Sequence, residues 1–179
     1  FGTPPDGSDP RMQQYVFNST NPNRDSDLES PIIIHEYGHG ISNRLTGGSL
    51  NSNALTCGQS RGMGEGWSDW WALTLHQEQT DLQNDAYPLG TYVLGQAITG
   101  AGIRSQPYSF DMTVNTLTFA DIATQAPPHG LGEVWASALW DLNWILINKH
   151  GFDQNIENGY SLGDGGNALA LRLVMDGLK

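Results

Sequence analysis

The strongest constraint on this chain is the stretch Ile32-Ile33-Ile34-His35-Glu36-Tyr37-Gly38-His39-Gly40-Ile41. Two histidines four residues apart on an apolar background read as a buried helix, because positions i and i+4 share one face, about 40° apart around the axis. His35 and His39 can then aim both imidazoles at one point, as two ligands of a tetrahedral Zn²⁺ must. Glu36 projects roughly 100° round from His35. It can therefore sit over a water in the open coordination position and accept its proton. Random placement of this composition gives the pattern only about 0.005 times per chain, so chance is no rival. A structural helix with two hydrogen-bonded histidines is the alternative.

Ser30-Pro31 marks the start of that helix, with Ser30 at the N-cap and Pro31 at the first helical position, where a missing N–H costs nothing. The helix is predicted to run to Asn43, before Thr46-Gly47-Gly48. Leu45 to Ser60 reads as a Gly/Ser/Asn-rich loop, and Gly62 to Gln77 as a second helix. Trp67, Trp70, Trp71 and Leu75 form one apolar stripe on it, a core face.

Glu65 and Asp69 are spaced i, i+4 on this second helix, so both carboxylates can face one neighbour. Glu65 is the natural third ligand, giving two His and one Glu with a fourth position open, the catalytic arrangement. Asp69, one turn on, can accept the second ring N–H of a zinc histidine and fix its tautomer. A solvated carboxylate pair is the alternative. Gly62, Gly64 and Gly66 each weaken a helix by about 1 kcal/mol against Ala; close helix–helix approach would explain them.

Eight basic against nineteen acidic residues leave a net charge of −11, which argues against nucleic acid or an anionic membrane surface as partner; solubility alone is the other reading. A length of 179 residues suits one domain with a sizeable core. Acidic clusters such as Asp25-Ser26-Asp27 could hold Ca²⁺ through oxygen ligands, without a defined loop pattern. The lone Cys57 excludes an intrachain disulfide and a Cys-based zinc cluster; it reads as a small buried residue, or as a bond to a segment outside this chain. No apolar run reaches membrane-spanning length. No charged-then-apolar leader opens the chain, so an exported protein would carry it as a processed form.

Elsewhere, Arg11 to Phe17 has strand composition, and Thr91 to Leu94 reads as a short extended piece. A third helix is predicted over Gly132 to Lys149, with Trp135, Leu139, Leu142 and Leu146 on one face. Gly163 opens a closing turn, followed by an amphipathic helix over Ala168 to Met175. His76 and His150 read as surface residues in C-terminal turns.

The segments His35-Glu36-Tyr37-Gly38-His39-Gly40-Ile41-Ser42-Asn43-Arg44-Leu45-Thr46-Gly47-Gly48 and Gly62-Met63-Gly64-Glu65-Gly66-Trp67-Ser68-Asp69 together resemble the fungalysin family of secreted zinc endopeptidases, relatives of thermolysin. Thr3 to Gly7, Ala101 to Ser109, Leu131 to Ala136 and Asn148 to Phe152 resemble further family segments. The resemblance implies a mainly α, gluzincin-type core with little strand, forming part of a larger catalytic domain. Residues 1–29 would be loop and short strand, 30–78 the zinc-binding helices, 79–131 an irregular substrate-side segment and 132–179 the C-terminal helices.

By the same resemblance, Arg104 in Gly102-Ile103-Arg104-Ser105 would hydrogen-bond a substrate carbonyl, a task suited to its guanidinium fork. The alternative is a structural Arg stapling its loop to a carboxylate. His129 lies where thermolysin-like enzymes carry an oxyanion-stabilising histidine, although Pro127-Pro128 departs from that pattern and Asp121 is a distant orienting acid. Thermolysin's tyrosine donor has no counterpart in Leu45 to Ser60, so either His129 acts with a tyrosine from elsewhere, Tyr108 being the first candidate, or the oxyanion hole is weaker. The expected activity is zinc-dependent hydrolysis of peptide or protein substrates in a secreted, extracellular protein. The implied partners are a missing N-terminal part of the catalytic domain and a propeptide. The alternatives are a catalytically incomplete zinc-stabilised fragment, or hydrolysis of a non-peptide ester or amide.

Overall fold

The computed structural model describes residues 2–4, 6–156 and 165–179. Four helices dominate: α1 (Ser30–Leu45), α2 (Gly58–His76), α3 (His129–His150) and α4 (Gly166–Gly177). The strand expected over Arg11 to Phe17 shrinks to β1 (Val16–Phe17), antiparallel to β2 (Arg24–Asp25). Thr91 to Leu94 is a turn rather than an extended piece, closed by Gly95 N–H on the Tyr92 carbonyl at 2.9 Å. The turn expected at Gly163 lies outside the described residues. Among the described residues no helix is long and apolar enough to cross a membrane.

Helix ends follow local chemistry, with shifts of a few residues. Pro31 lies in the first turn of α1, but Glu29 rather than Ser30 takes the N-cap position. The Ser30 hydroxyl instead pairs with His76 Nε2 at 2.5 Å. The buried Glu29 carboxylate accepts the Val93 N–H at 2.9 Å, tying the middle of the chain to the start of α1. Helix α3 begins at His129, three residues before the predicted start, and ends at Gly151, whose φ of 80° and N–H bond to the Ile147 carbonyl make a glycine stop.

Helix α2 lies between α1 and α3, and α4 packs on α3. Trp70 and Trp140 are fully buried, with Trp67, Trp71 and Trp144 nearly so. The tryptophan stripe is therefore core, as its spacing predicted, whereas Leu75 at its end is half-exposed. Trp67 meets Trp135 of α3 edge-on at 6.1 Å, an arrangement aromatic quadrupoles favour. Cys57, expected as a small buried residue, is exposed at the N-cap of α2.

The glycines explain how α2 approaches its neighbours. A Cβ on Gly66 would lie 2.6 Å from the Gly132 carbonyl oxygen, and one on Gly62 would lie 2.6 Å from Leu131 Cβ. A Cβ on Gly132 would meet Glu65 Cβ at 2.6 Å, so the closest approach of α2 and α3 is centred on Glu65. Gly64 is different: its nearest neighbour would be Leu55 at 3.7 Å. Gly66→Ala should therefore destabilise the protein by about 1–3 kcal/mol through overpacking. Gly64→Ala should be neutral or stabilising by up to about 1 kcal/mol through helix propensity. Thermal melts of the two variants check this ordering.

Candidate metal centre

Helix α1 presents His35 and His39 on one face, and α2 brings Glu65 to meet them. His35 Nε2 and His39 Nε2 lie 3.1 Å apart. Glu65 Oε2 is 3.2 Å from His35 Nε2 and 3.6 Å from His39 Nε2. Among the described residues this is the one group that gathers three side chains able to hold a metal. No such group forms around Asp25 and Asp27 among the described residues, where Asp25 accepts the Asp27 N–H at 3.4 Å.

The triangle has the dimensions of a coordination face. Four tetrahedral N/O ligands at 2.0–2.2 Å from a metal stand about 3.3–3.6 Å from one another, close to the observed edges of 3.1, 3.2 and 3.6 Å. Glu65 Oε2 is buried and makes no well-aligned hydrogen bond among the described residues. Its short contacts are those of acceptors converging on a point, which a proton or a cation must neutralise. Burial lowers the pKa of His35, but the hydrogen bond and charge of Asp69, helped by Glu65, override it and hold it up at about 9. Burial likewise opposes ionisation of Glu65, yet His35 and His39 keep its carboxyl far below the usual range. The attraction that draws protons here draws a metal cation equally.

Behind the triangle stands Asp69, fully buried in α2. Its Oδ1 accepts His35 Nδ1–H at 2.6 Å and Arg104 Nη2–H at 2.7 Å; its Oδ2 accepts Arg104 Nε–H at 2.6 Å and the Tyr108 hydroxyl at 2.5 Å. With Nδ1 donating, the neutral form of the His35 ring, the one a metal would bind, carries its lone pair on Nε2, facing the triangle. Burial raises the pKa of Asp69, but the charge and hydrogen bonds of Arg104, then His35, outweigh it and keep the group ionised.

On the open side, Glu36, His129 and Arg104 line a cavity of about 160 Å³ together with His35 and Asp69. Glu36 is half-buried there. His129 is the exposed member: its side chain is 59% accessible against 9% for Glu65, and its Nε2 lies 3.5 Å from Glu65 Oε2.

Two sequence expectations change. Tyr108 has no exposed surface, and its hydroxyl is committed to Asp69, so it is not placed as a donor to substrate. Arg104 adopts the staple geometry, two-pronged on Asp69, while still lining the cavity. The adjacent pair was missed: Ser105 donates its N–H to Glu133 at 3.0 Å and its hydroxyl to the same carboxylate. The available signal was Glu133 itself, an acid within the otherwise apolar or small run Gly132 to Ala136 at the start of α3.

A sequence model described as Fungalysin metallopeptidase (M36) matches residues 1–179. The chain belongs to this family. The chain is 44% identical over 181 residues to extracellular metalloproteinase 2 of Trichophyton tonsurans, covering 99% of this chain and 28% of that protein. It is 45% identical to extracellular metalloproteinase 2 of Arthroderma gypseum and 43% identical to extracellular metalloproteinase MEP of Pyricularia oryzae, with the same coverage. The fungalysin chain thus spans about 28% of the length of these curated relatives. Family and geometry together imply a bound metal ion at His35, His39 and Glu65.

Asp69→Asn, which keeps the shape but loses the charge, should weaken metal binding by about 10- to 100-fold. Competition with a chromophoric chelator measures this. In the native protein, metal should raise Tm in a concentration-dependent way. His39→Ala should abolish that rise.

Proposed function

We propose that this chain is the metal-binding part of a zinc-dependent, extracellular endopeptidase acting on peptide or protein substrates. The observation that carries the reading is the 3.1–3.6 Å triangle of two imidazole nitrogens and one carboxylate oxygen, with Glu36 and His129 on the same cavity. Two His and one Glu, with a position left open, is the donor set of catalytic rather than structural zinc. Zinc bound there would polarise a scissile carbonyl and acidify a water. The relatives' description as extracellular metalloproteinases supports the location and the activity.

In this reading Glu36 takes a proton from the attacking water and delivers one to the leaving amine. His129, with its exposed ring beside Glu65, donates to the oxygen on which negative charge develops, a contribution of about 3 kcal/mol. Asp69 orients His35 through Nδ1. Arg104 lines the cavity and uses Nε and Nη2 on Asp69; it is proposed to offer its other guanidinium edge to a substrate carbonyl. Residues 1–179 form one part of a single catalytic domain, completed by an N-terminal part and preceded by a propeptide.

Glu36→Gln should retain zinc while casein hydrolysis falls about 10²- to 10⁴-fold; unchanged hydrolysis would sink the mechanism. His129→Ala should lower kcat about 10²- to 10³-fold with zinc content intact. The 28% coverage favours a second reading, in which this chain alone is a zinc-stabilised fragment that turns nothing over. Zinc content without chelator-sensitive cleavage, and cleavage once the natural flanks are restored, would select it.

A further inference from the structure

We propose that Tyr108 is a positioning residue for the metal: its buried hydroxyl holds Asp69 in the orientation that keeps His35 Nε2 aimed at Glu65 and His39, raising the affinity for Zn²⁺. The inference rests on the zinc reading above. It starts from an accounting of Asp69, an ionised carboxylate with about four lone-pair sites. All four are taken, two on each oxygen: His35 and Arg104 on Oδ1, Arg104 and Tyr108 on Oδ2. The bidentate Arg104 fixes the plane of the carboxylate, and Tyr108 closes the last site. Without it, Oδ2 would be a buried oxygen one bond short, and the carboxylate could turn away from His35 to recover a partner.

Tyr108 is built as a fixed donor rather than as core filling. Its backbone exchanges two hydrogen bonds with Tyr87, at 2.8 and 3.0 Å. On either side, the Pro107 carbonyl accepts from Asn115 Nδ2 at 3.0 Å, and Phe110 N–H donates to the Gln83 carbonyl at 3.0 Å. The same strap carries Arg104 and begins at Gly102, where a Cβ would fall 2.2 Å from the Leu89 carbonyl oxygen. The segment thus lies flat against its neighbour with Arg104 and Tyr108 both turned to one carboxylate. That carboxylate touches the ligand His35 directly, so the phenol lies two hydrogen bonds from the metal position.

The test is zinc affinity in Tyr108→Phe, measured by chelator competition, with the visible spectrum of the Co²⁺-loaded protein as a second readout. The expected result is a Kd for zinc about 3- to 10-fold higher, with a shifted Co²⁺ spectrum. Tyr87→Phe removes a hydroxyl from the paired residue, which bonds the Leu82 carbonyl instead; it should leave both readouts unchanged. In an Asp69→Asn background, Tyr108→Phe should add nothing. A wild-type Kd and spectrum in Tyr108→Phe would overturn the inference alone, and so would additivity with Asp69→Asn. Wild-type protein that binds no zinc would overturn the zinc reading together with it. Should Tyr108→Phe fail to fold, the wild-type hydroxyl proton decides: a slowly exchanging downfield resonance that moves on zinc loading supports the inference, and its absence overturns it.

Discussion

The structure depends on a charge that has no business being buried unless it is fully engaged. Asp69 is 1% exposed and ionised; removing a carboxylate from water carries a penalty of several kcal/mol even after relaxation. Arg104, itself only 8% exposed, offsets that penalty through two hydrogen bonds. His35 and Tyr108 fill the remaining sites. Three separate parts of the chain, α1, α2 and the strap after Gly102, are tied at this one group. Breaking one partner leaves the others facing an uncompensated buried charge, so the tie is stringent about geometry even where its net contribution to stability is small.

Packing supplies what electrostatics alone cannot, the short distance between helices. Gly62, Gly66 and Gly132 remove the side chains that would hold α2 and α3 apart, and their contacts surround Glu65. Gly38 does the same between α1 and α2, where a Cβ would meet Trp71 and Ser68 at 2.9–3.0 Å. Large tryptophans then fill the flanks of these close approaches. Glycine at the contact and tryptophan beside it are two halves of one solution: backbones come near enough for Glu65 to reach the histidines, and the displaced volume is packed by rings.

The His35/His39 helix and the Glu65/Asp69 helix were legible because their information is periodic: residue type and i, i+4 spacing fix which side chains share a face. The third helix was legible too, although its start moved from Gly132 to His129, which placed the histidine on the first turn rather than before it. The segment 79–131 was not legible as structure, because its order comes from partners far away in sequence. Glu29 holds Val93, Asp69 holds Arg104 and Tyr108, and Glu133 holds Ser105. Local composition carries no trace of such pairings. Tyr108 illustrates the consequence: its sequence neighbourhood marks no partner for the hydroxyl, and only the fold turns that hydroxyl to Asp69.

These arrangements divide the candidate site into two sides with different physics. The ligand side is dry and over-determined, with His35 and Glu65 about one-tenth exposed and held from behind by a saturated carboxylate. The facing side is wet: His129 is largely accessible and Glu36 borders a cavity large enough for a few waters. That asymmetry suits proton transfer beside a metal. Ligands must not move when charge develops, and His35 is fixed from behind by Asp69, which Arg104 and Tyr108 hold in turn. Glu36 and His129, the groups proposed to meet water and substrate, stand on the open side, Glu36 half-buried on the second turn of α1 and His129 exposed on the first turn of α3. A chain that placed all of these residues in one buried cluster would hold a metal as well and leave no open face beside it.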